Sequence, residues 1–310
     1  MLHATCYIIM KSPQLPAPEL ATALSLTNMV WLKREDKHHY GSHKGHSIPF
    51  MIQEYVKLGK NNFVISSSGN AALASILTII SLNKNKPQTP ITLQVFIGQE
   101  ISKIKQSKLT IAAALDSKIA ITQEKNPKQS ALQFEKEHHA QLLRQSTDAL
   151  ALIGYAELAN ELSRIPDLSA IFIPTSSGTT AEGLHLGFKA LGLNPEIHVV
   201  QTSSCHPIVE EFYTATKRPL PAFVKEKSTA DAIVDLIGYR KQAVAKAITE
   251  SHGDAWIASN TAIAEAVELV KEKTKTDISS TSALAIAGLK QAVATGRTWT
   301  GAVVCLITGA

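Results

Sequence analysis

Residues 31–46 read Trp31-Leu32-Lys33-Arg34-Glu35-Asp36-Lys37-His38-His39-Tyr40-Gly41-Ser42-His43-Lys44-Gly45-His46. The apolar run from Met29 to Leu32 predicts a short buried strand, which ends in charges and in a turn carrying Gly41. Lys44 then stands where the next helix should begin. One amine is therefore expected on a tight turn, between a strand end and a helix start. A lysine held near backbone dipoles and partly withdrawn from water can lose its proton and attack a carbonyl carbon. An isolated lysine at a helix start is ordinarily a solvated surface group. What raises this one above that reading is the rest of the chain.

Beyond Lys44 the pattern alternates between helix and strand. Helical spacing covers residues 48–58, 70–82, 102–115 and 129–139, and strands are predicted over 62–66, 91–97 and 118–122. Such alternation argues for a parallel sheet with helices on its faces. Further helices are expected over 152–164, 180–191, 229–249, 261–273 and 281–294, with strands over 170–174, 197–201, 255–258 and 303–307. Residues 218–228, with two prolines and several charges, read as an exposed connection. No internal repeat or low-complexity linker interrupts the pattern. The fold class that follows is α/β, with two open, mostly parallel sheets sharing a cleft.

At 310 residues the chain can bury a large core, in one big domain or two modest ones. Its 45% hydrophobic and 18% charged content is that of an ordinary soluble globular protein. The net charge of +5 is mild and its basic residues are scattered, so no nucleic-acid partner is expected. Cys6, Cys205 and Cys305 are an odd, sparse set rather than a disulfide framework, which points to a reducing cytoplasm. The first ten residues are apolar but lack the basic start and the length of a secretion signal, and no run approaches a membrane span.

Three more stretches carry chemistry. Ser66-Ser67-Ser68-Gly69-Asn70-Ala71-Ala72 joins a strand to an apolar helix. Its hydroxyls, a glycine that permits unusual backbone angles and unpaired helix amides suit a carboxylate, although Ser and Asn are also ordinary N-cap residues. Pro174-Thr175-Ser176-Ser177-Gly178-Thr179-Thr180 repeats the arrangement, and hydroxyls of Ser176, Ser177, Thr179 and Thr180 with consecutive amides can enclose a phosphate. It lacks the P-loop lysine and the dinucleotide spacing, so a small phosphoester fits better than a nucleotide, with a generic βα loop as the plain alternative. Ser279-Ser280-Thr281-Ser282 opens an Ala-rich helix without charge until Lys290, which must be buried. Ser282 can hydrogen-bond a ring nitrogen there, while capping by Ser280 or Thr281 is the simpler account. His38, His39, His43 and His46 cluster as metal ligands do. No second metal signature accompanies them, so they are expected to be solvated turn residues, with no metal.

In this order, the four stretches resemble the pyridoxal phosphate (PLP) enzymes of the tryptophan synthase β-subunit class, fold type II, over residues 13–310. KRED and GSHK are similar to tryptophan synthase β and threonine dehydratase. The SSSGNAA and SSGTTAEG loops and residues 201–209, ending in HPIV, are more similar to threonine synthase. The resemblance implies PLP as cofactor and Lys44 as the catalytic Schiff-base lysine. It places Asn70 beside the cofactor's phenolic oxygen and Ser176, Ser177, Gly178, Thr179 and Thr180 around its phosphate. Ser282 falls at the pyridine nitrogen, where a neutral hydroxyl would not hold the ring protonated. Ser67, Ser68, Gly69, Asn70 and Ala71 fall at the substrate carboxylate. A smaller domain over 48–148 would carry the asparagine loop, and a larger one over 1–47 and 149–310 the phosphate loop and Ser282.

The activity implied is elimination or replacement at the β or γ carbon of a small amino acid, threonine synthase-like or serine/threonine dehydratase-like, in a cytoplasmic homodimer. A β-replacement synthase of the cysteine synthase type and a non-catalytic PLP- or amino-acid-binding relative remain the alternatives. The chain also departs from the family. His46 stands where many relatives carry arginine, His39 and Tyr40 replace a Pro-Thr pair, and serines replace glycines in the phosphate loop.

Overall fold

The computed structural model describes residues 11–85 and 87–309. The opening decapeptide and Cys6 lie outside the described residues. The chain runs β1 (Gln14–Pro16), α1 (Pro18–Ala23), β2 (Val30–Arg34), a 3₁₀ turn (Glu35–Lys37), α2 (Lys44–Lys57), β3 (Asn62–Ser66), α3 (Asn70–Lys84) and β4 (Thr92–Gly98). It continues through α4 (Lys103–Ala113), β5 (Ile119–Glu124), α5 (Pro127–His138), β6 (Gln141–Leu142), α6 (Leu150–Gly154), α7 (Ala156–Leu162) and β7 (Leu168–Pro174). The last part holds α8 (Thr179–Ala190), β8 (Glu196–Thr202), α9 (Pro207–Ala215), α10 (Lys241–Glu250), β9 (Asp254–Ala258), α11 (Asn260–Thr274), α12 (Ser280–Ala294) and β10 (Ala302–Ile307).

Two sheets form. One has six strands in the order β1-β2-β10-β7-β8-β9 and the other four in the order β5-β4-β3-β6. Every pairing is parallel except β1 with β2. The expected α/β class with two open, mostly parallel sheets is the observed one. Because β10 inserts between β2 and β7, the segments that follow these three strands leave the same edge of the sheet. In open parallel sheets, that carboxyl edge is where ligands bind.

Strand β10 shows how the core is partitioned. All six of its residues are buried. Val303, Cys305 and Ile307 face one apolar cluster, while Ala302, Val304 and Leu306 face another on the opposite side. A strand covered on both faces reads as a continuous apolar run, which is why 303–307 was legible. Helix α12 covers the first face, and Gly288 lets it approach so closely that a Cβ there would overlap Val200. Cys205 and Cys305 are buried free thiols. Among the described residues no helix is long and apolar enough to cross a membrane.

Some expected elements differ. The helix expected over 229–249 begins only at Lys241. Ahead of it, the amides of Val234 and Asp235 donate to Ser176 Oγ, and those of Ile237 and Gly238 donate to the Asp235 carboxylate. Amides engaged in that way cannot build a helix ladder. The helix expected over 152–164 is split between Gly154 and Ala156 into α6 and α7. A Cβ on Gly154 would fall 2.6 Å from the His46 carbonyl oxygen, so this point is set by close contact with α2. Helix α2 does start at Lys44, as the turn before it implied, four residues ahead of where its helical spacing becomes readable at 48. The short elements β1, α1 and β6 and the nine-residue α9 were not anticipated.

Candidate active site

The site grows around two small residues, Thr308 and Gly309, that follow β10. From the lysine turn, the His43 amide donates to Thr308 O at 2.9 Å, and Ser42 bridges to Gly309. Lys44 comes next as the first residue of α2, its own amide donating to Ser42 Oγ at 3.3 Å. From α12, Ser279 Oγ and Ser282 Oγ donate to Gly309 O at 2.8 and 3.1 Å. From α3, Asn70 brings its side-chain nitrogen so close that a Cβ on Gly309 would meet it at 2.6 Å. Lys44, Asn70 and Ser282, distant in sequence, are thus gathered on one turn. Ser279, rather than Ser280 or Thr281, caps α12, which leaves Ser282 buried one turn inside.

The serine loop lies at the carboxyl end of β3. Ser68 Oγ accepts from the Gly98 amide at 3.0 Å and Ser67 Oγ from the Gly69 amide at 3.3 Å, so both hydroxyl protons stay available to a carboxylate. Gly69 has a negative φ of −143°, and nothing lies within 4 Å of a Cβ added there. Open space rather than an unusual dihedral distinguishes it, which corrects the sequence expectation. The left-handed position is Gly178 in the second loop, at φ +90°, where a Cβ would also press Val244 Cγ2 at 2.8 Å.

That second loop leads into the 12-residue helix α8, whose first amides lack intrahelical acceptors. Ser177 and Thr179 exchange a hydroxyl bond at 2.9 Å, and Thr179 also reaches Gln145 O at 3.2 Å. Ser176 Oγ instead holds the 234–235 amides, so its hydroxyl oxygen serves the neighbouring loop. Glu182, an acid in the first turn of α8, would oppose an anion there. Arg240 neutralises it at 2.9 Å and donates to the carbonyls of Gln145 and Asp148.

Gln145 connects the two halves. Its side chain bonds Ser47 Oγ on α2, and its backbone carbonyl accepts from Thr179. Ser47 sits about one helical turn from Lys44. A single residue therefore links the lysine helix to the loop that opens α8. Gln145, Arg240 and the Thr308–Gly309 pair were not singled out in the sequence, where nothing but the end of an apolar strand marks the last two.

Charge beneath the lysine is buried and paired. His46 Nε2 lies 2.9 Å from Glu35, Lys33 lies 3.6 Å from the same carboxylate, and Lys33 also pairs with Glu161. Lys33, Glu35, Glu161 and His46 are all buried, so the solvated reading fails for His46. Removing one partner of such a buried pair costs about 3–5 kcal/mol. Burial would neutralise Glu35, but His46 and Lys33 overcome it and hold the carboxyl down at about 2. Burial likewise opposes charge on His46, but the carboxylates of Glu35 and Glu157 push the ring up to about 10. Burial, aided by the Lys44 charge, drives His43 down to about 3, so its ring is neutral and holds Thr308 O through Nδ1 at 2.7 Å. Burial and the His46 charge lower His38 to about 4.

These shifts set a pH dependence of stability. Neutral His38 and His43 contribute stability that is complete above the ordinary imidazole value of 6.5 and is lost as pH falls toward about 4 and about 3. Charged His46 contributes stability that is complete below 6.5 and is lost as pH rises toward about 10. Denaturant unfolding across this range is expected to show maximal stability near pH 6.5, with proton uptake on unfolding below it and release above it. A profile flat from pH 4 to 10 would contradict the assigned charge states.

A family model described as pyridoxal-phosphate dependent enzyme matches residues 6–309. The chain belongs to that family. Comparison with curated protein sequences gives no match. Among solved structures, this PLP-dependent enzyme is similar to a pyridoxal 5'-phosphate-dependent aspartate racemase, with 18% identity, TM-score 0.80, and 96% of this chain and 89% of that one covered. It is also similar to maize serine racemase, at 17% identity and TM-score 0.78, covering 96% and 87% of the two chains. The processed threonine deaminase isoform 2 of Solanum lycopersicum gives 20% identity and TM-score 0.78, covering 96% and 83%. The shared two-sheet architecture is fold type II, and these structures do not single out threonine synthase.

The residues of this PLP-dependent enzyme fit the cofactor its family uses. Lys44 makes no side-chain hydrogen bond or ion pair to the described residues, and a glycine keeps Asn70's surroundings open. A neutral hydroxyl stands at the head of α12, and an amide-rich turn lies one glutamine away. An amine, a side-chain amide, a neutral hydroxyl and a turn of backbone amides are the kinds of group that would hold such a molecule.

Proposed function

We propose that this enzyme carries out elimination or replacement at the β or γ carbon of a small amino acid, in the manner of serine/threonine dehydratases or threonine synthase. The observation that carries the reading is the neutral Ser282 hydroxyl on the same turn as Lys44 and Asn70. When bound, PLP supplies an aldehyde for amines and a ring that withdraws electrons from the substrate's α carbon. Ser279 already satisfies Gly309 O, so the Ser282 hydroxyl is free to turn its proton toward a ring nitrogen. An unprotonated ring is a weaker electron sink, which favours prompt departure of a leaving group over long-lived charge on the α carbon.

In this reading Lys44 Nζ removes the α proton. Ser67 and Ser68, with the amides of Gly69, Asn70 and Ala71, hold the substrate carboxylate against the head of α3. The Asn70 amide orients the ring oxygen. Ser177, Gly178, Thr179 and Thr180 would hold the phosphate through their amides and the Thr180 hydroxyl. The Ser177 and Thr179 hydroxyls are engaged with each other and with Gln145 O, and Ser176 anchors that loop to the 234–235 segment. The division into a smaller unit, 48–148, and a larger one, 1–47 with 149–310, belongs to the same proposal and is supported by the two separate sheets.

A substrate panel tests it. The purified enzyme with PLP is expected to release keto acid from serine or threonine, or phosphate from O-phosphohomoserine. Sulfide consumption with an activated serine would point instead to a cysteine synthase type. Bound yellow cofactor with no turnover of any of these would favour a binding protein over an enzyme of this class.

A further inference from the structure

We propose that His46 is a positioning residue: its doubly protonated ring ties the first turn of α2 to Glu35 beyond β2 and to Glu157 on α7, and so fixes where Lys44 stands. Three features carry this. First, charge must balance in a place without water. Glu35 and Glu161 are fully enclosed with one lysine between them, Lys33, which also donates to Ser12 O. Two carboxylates with one ammonium leave a negative charge; the Ser12 hydroxyl also donates to Glu35, but the remaining ionisable group in contact with it is His46. Second, both ring nitrogens face carboxylates: Nε2 lies 2.9 Å from Glu35 and Nδ1 lies 3.7 Å from Glu157. Nδ1 is otherwise a buried atom without a hydrogen-bond partner. Third, a cation in the first turn of a helix is opposed by the helix dipole. Helix α2 has no acid in its own first turn, so the compensation comes from outside it.

The groups facing the ring are Glu35 from the 3₁₀ turn, His38 from the loop after it, His43 ahead of α2, Tyr155 between α6 and α7, and Glu157 and Glu161 from α7, while Lys33 of β2 acts on it through Glu35. Glu35, His38 and His46 offer donor atoms within 4.8 Å of one another, which invites a metal reading. The tautomers favour a proton instead. His38 Nδ1 already accepts the Tyr40 amide at 3.2 Å, so its neutral ring carries hydrogen on Nε2 and has no free lone pair to offer.

The link to Lys44 rests on the reading above that Lys44 carries the cofactor; the charge of the ring does not. Nitrogen-15 spectra of histidine-labelled holoenzyme, with His46→Gln identifying the signal, are expected to show both ring nitrogens protonated from about pH 6 to about pH 9. After cofactor removal, His46→Gln is expected to recapture PLP at least about tenfold more slowly than wild type, as a misplaced reacting group does, with His46→Arg restoring most of the rate. If His46→Gln does not fold, Glu157→Gln alters only the partner that is 43% exposed, and the ring should then release its proton at lower pH than in wild type. A singly protonated ring near neutrality, one divalent metal ion per purified chain, an unchanged titration in Glu157→Gln, or wild-type recapture by His46→Gln would each overturn the proposal. Absence of a lysine-bound band in the wild type would instead defeat the Lys44 reading and leave the ring's charge decided by the spectra.

Discussion

A Lys44→Ala protein is expected to lose the visible absorbance of lysine-bound cofactor together with measurable turnover, while keeping its fold. The chemical loss is large because one amine is assigned two tasks. As the general base it is worth about 10²–10⁴-fold, and without it the protein also has no amine to hold the cofactor covalently. The structural loss is small. Lys44 is half-buried and its side chain makes no hydrogen bond or ion pair to the described residues. Alanine is the better helix former, so stability should change by less than about 0.5 kcal/mol. The measurements are an absorbance spectrum with PLP, borohydride reduction followed by mass analysis of the peptide containing residue 44, and a denaturation curve. A retained band, or label on another lysine, would remove Lys44 from the chemistry. Retained turnover would end the assignment of the whole site.

How far the sequence reveals such a site depends on which residues carry a local signal. Strands β3, β7, β8, β9 and β10 are apolar runs bounded by polar turns, and their places in the sequence were readable because burial on both faces leaves little choice of residue. The places of the two hydroxyl-rich loops and of Lys44 were readable for a similar reason: small and polar residues after an apolar run mark the passage from strand to helix. Thr308 and Gly309 carry no such mark, since two small residues after a strand are unremarkable until three other segments converge on them. Gln145 and Arg240 act across distances of 34 and 95 residues, through bonds to Thr179 and to Gln145 O, which periodicity does not register. The 229–240 stretch reads as helix because its propensities allow one. Its amides are claimed by Ser176, a partner 58 residues away, and tertiary bonding overrides propensity. The charge of His46 was equally hidden, because carboxylates on a different turn and on α7 decide it.

Gly309→Ala should produce the second large effect, through space alone. Gly309 does not have a positive φ, so backbone strain is not the reason for glycine here. An added Cβ would stand 2.6 Å from Asn70 Nδ2 and 2.9 Å from Ser42 Cβ. Neither approach is tolerable, and the two neighbours differ in how they can respond. Ser42 is buried and held by its bridge to Gly309, so the turn leading to Lys44 resists displacement. Asn70 Nδ2 is the far end of a side chain and can rotate, which takes its amide away from the position assigned to the ring oxygen. Overpacking of this kind typically costs about 1–3 kcal/mol, and part of it should appear as lost cofactor affinity of about tenfold or more. Absorbance titration with PLP and denaturant unfolding measure the two parts separately. Because the shorter of the two approaches is to Asn70, the stability cost of Gly309→Ala should shrink in an Asn70→Ala background, a coupling expected only between groups in contact. Equal costs in both backgrounds would place the strain on Ser42 instead. Unchanged affinity and stability in the single variant would mean that Asn70 and Gly309 do not share the site as described.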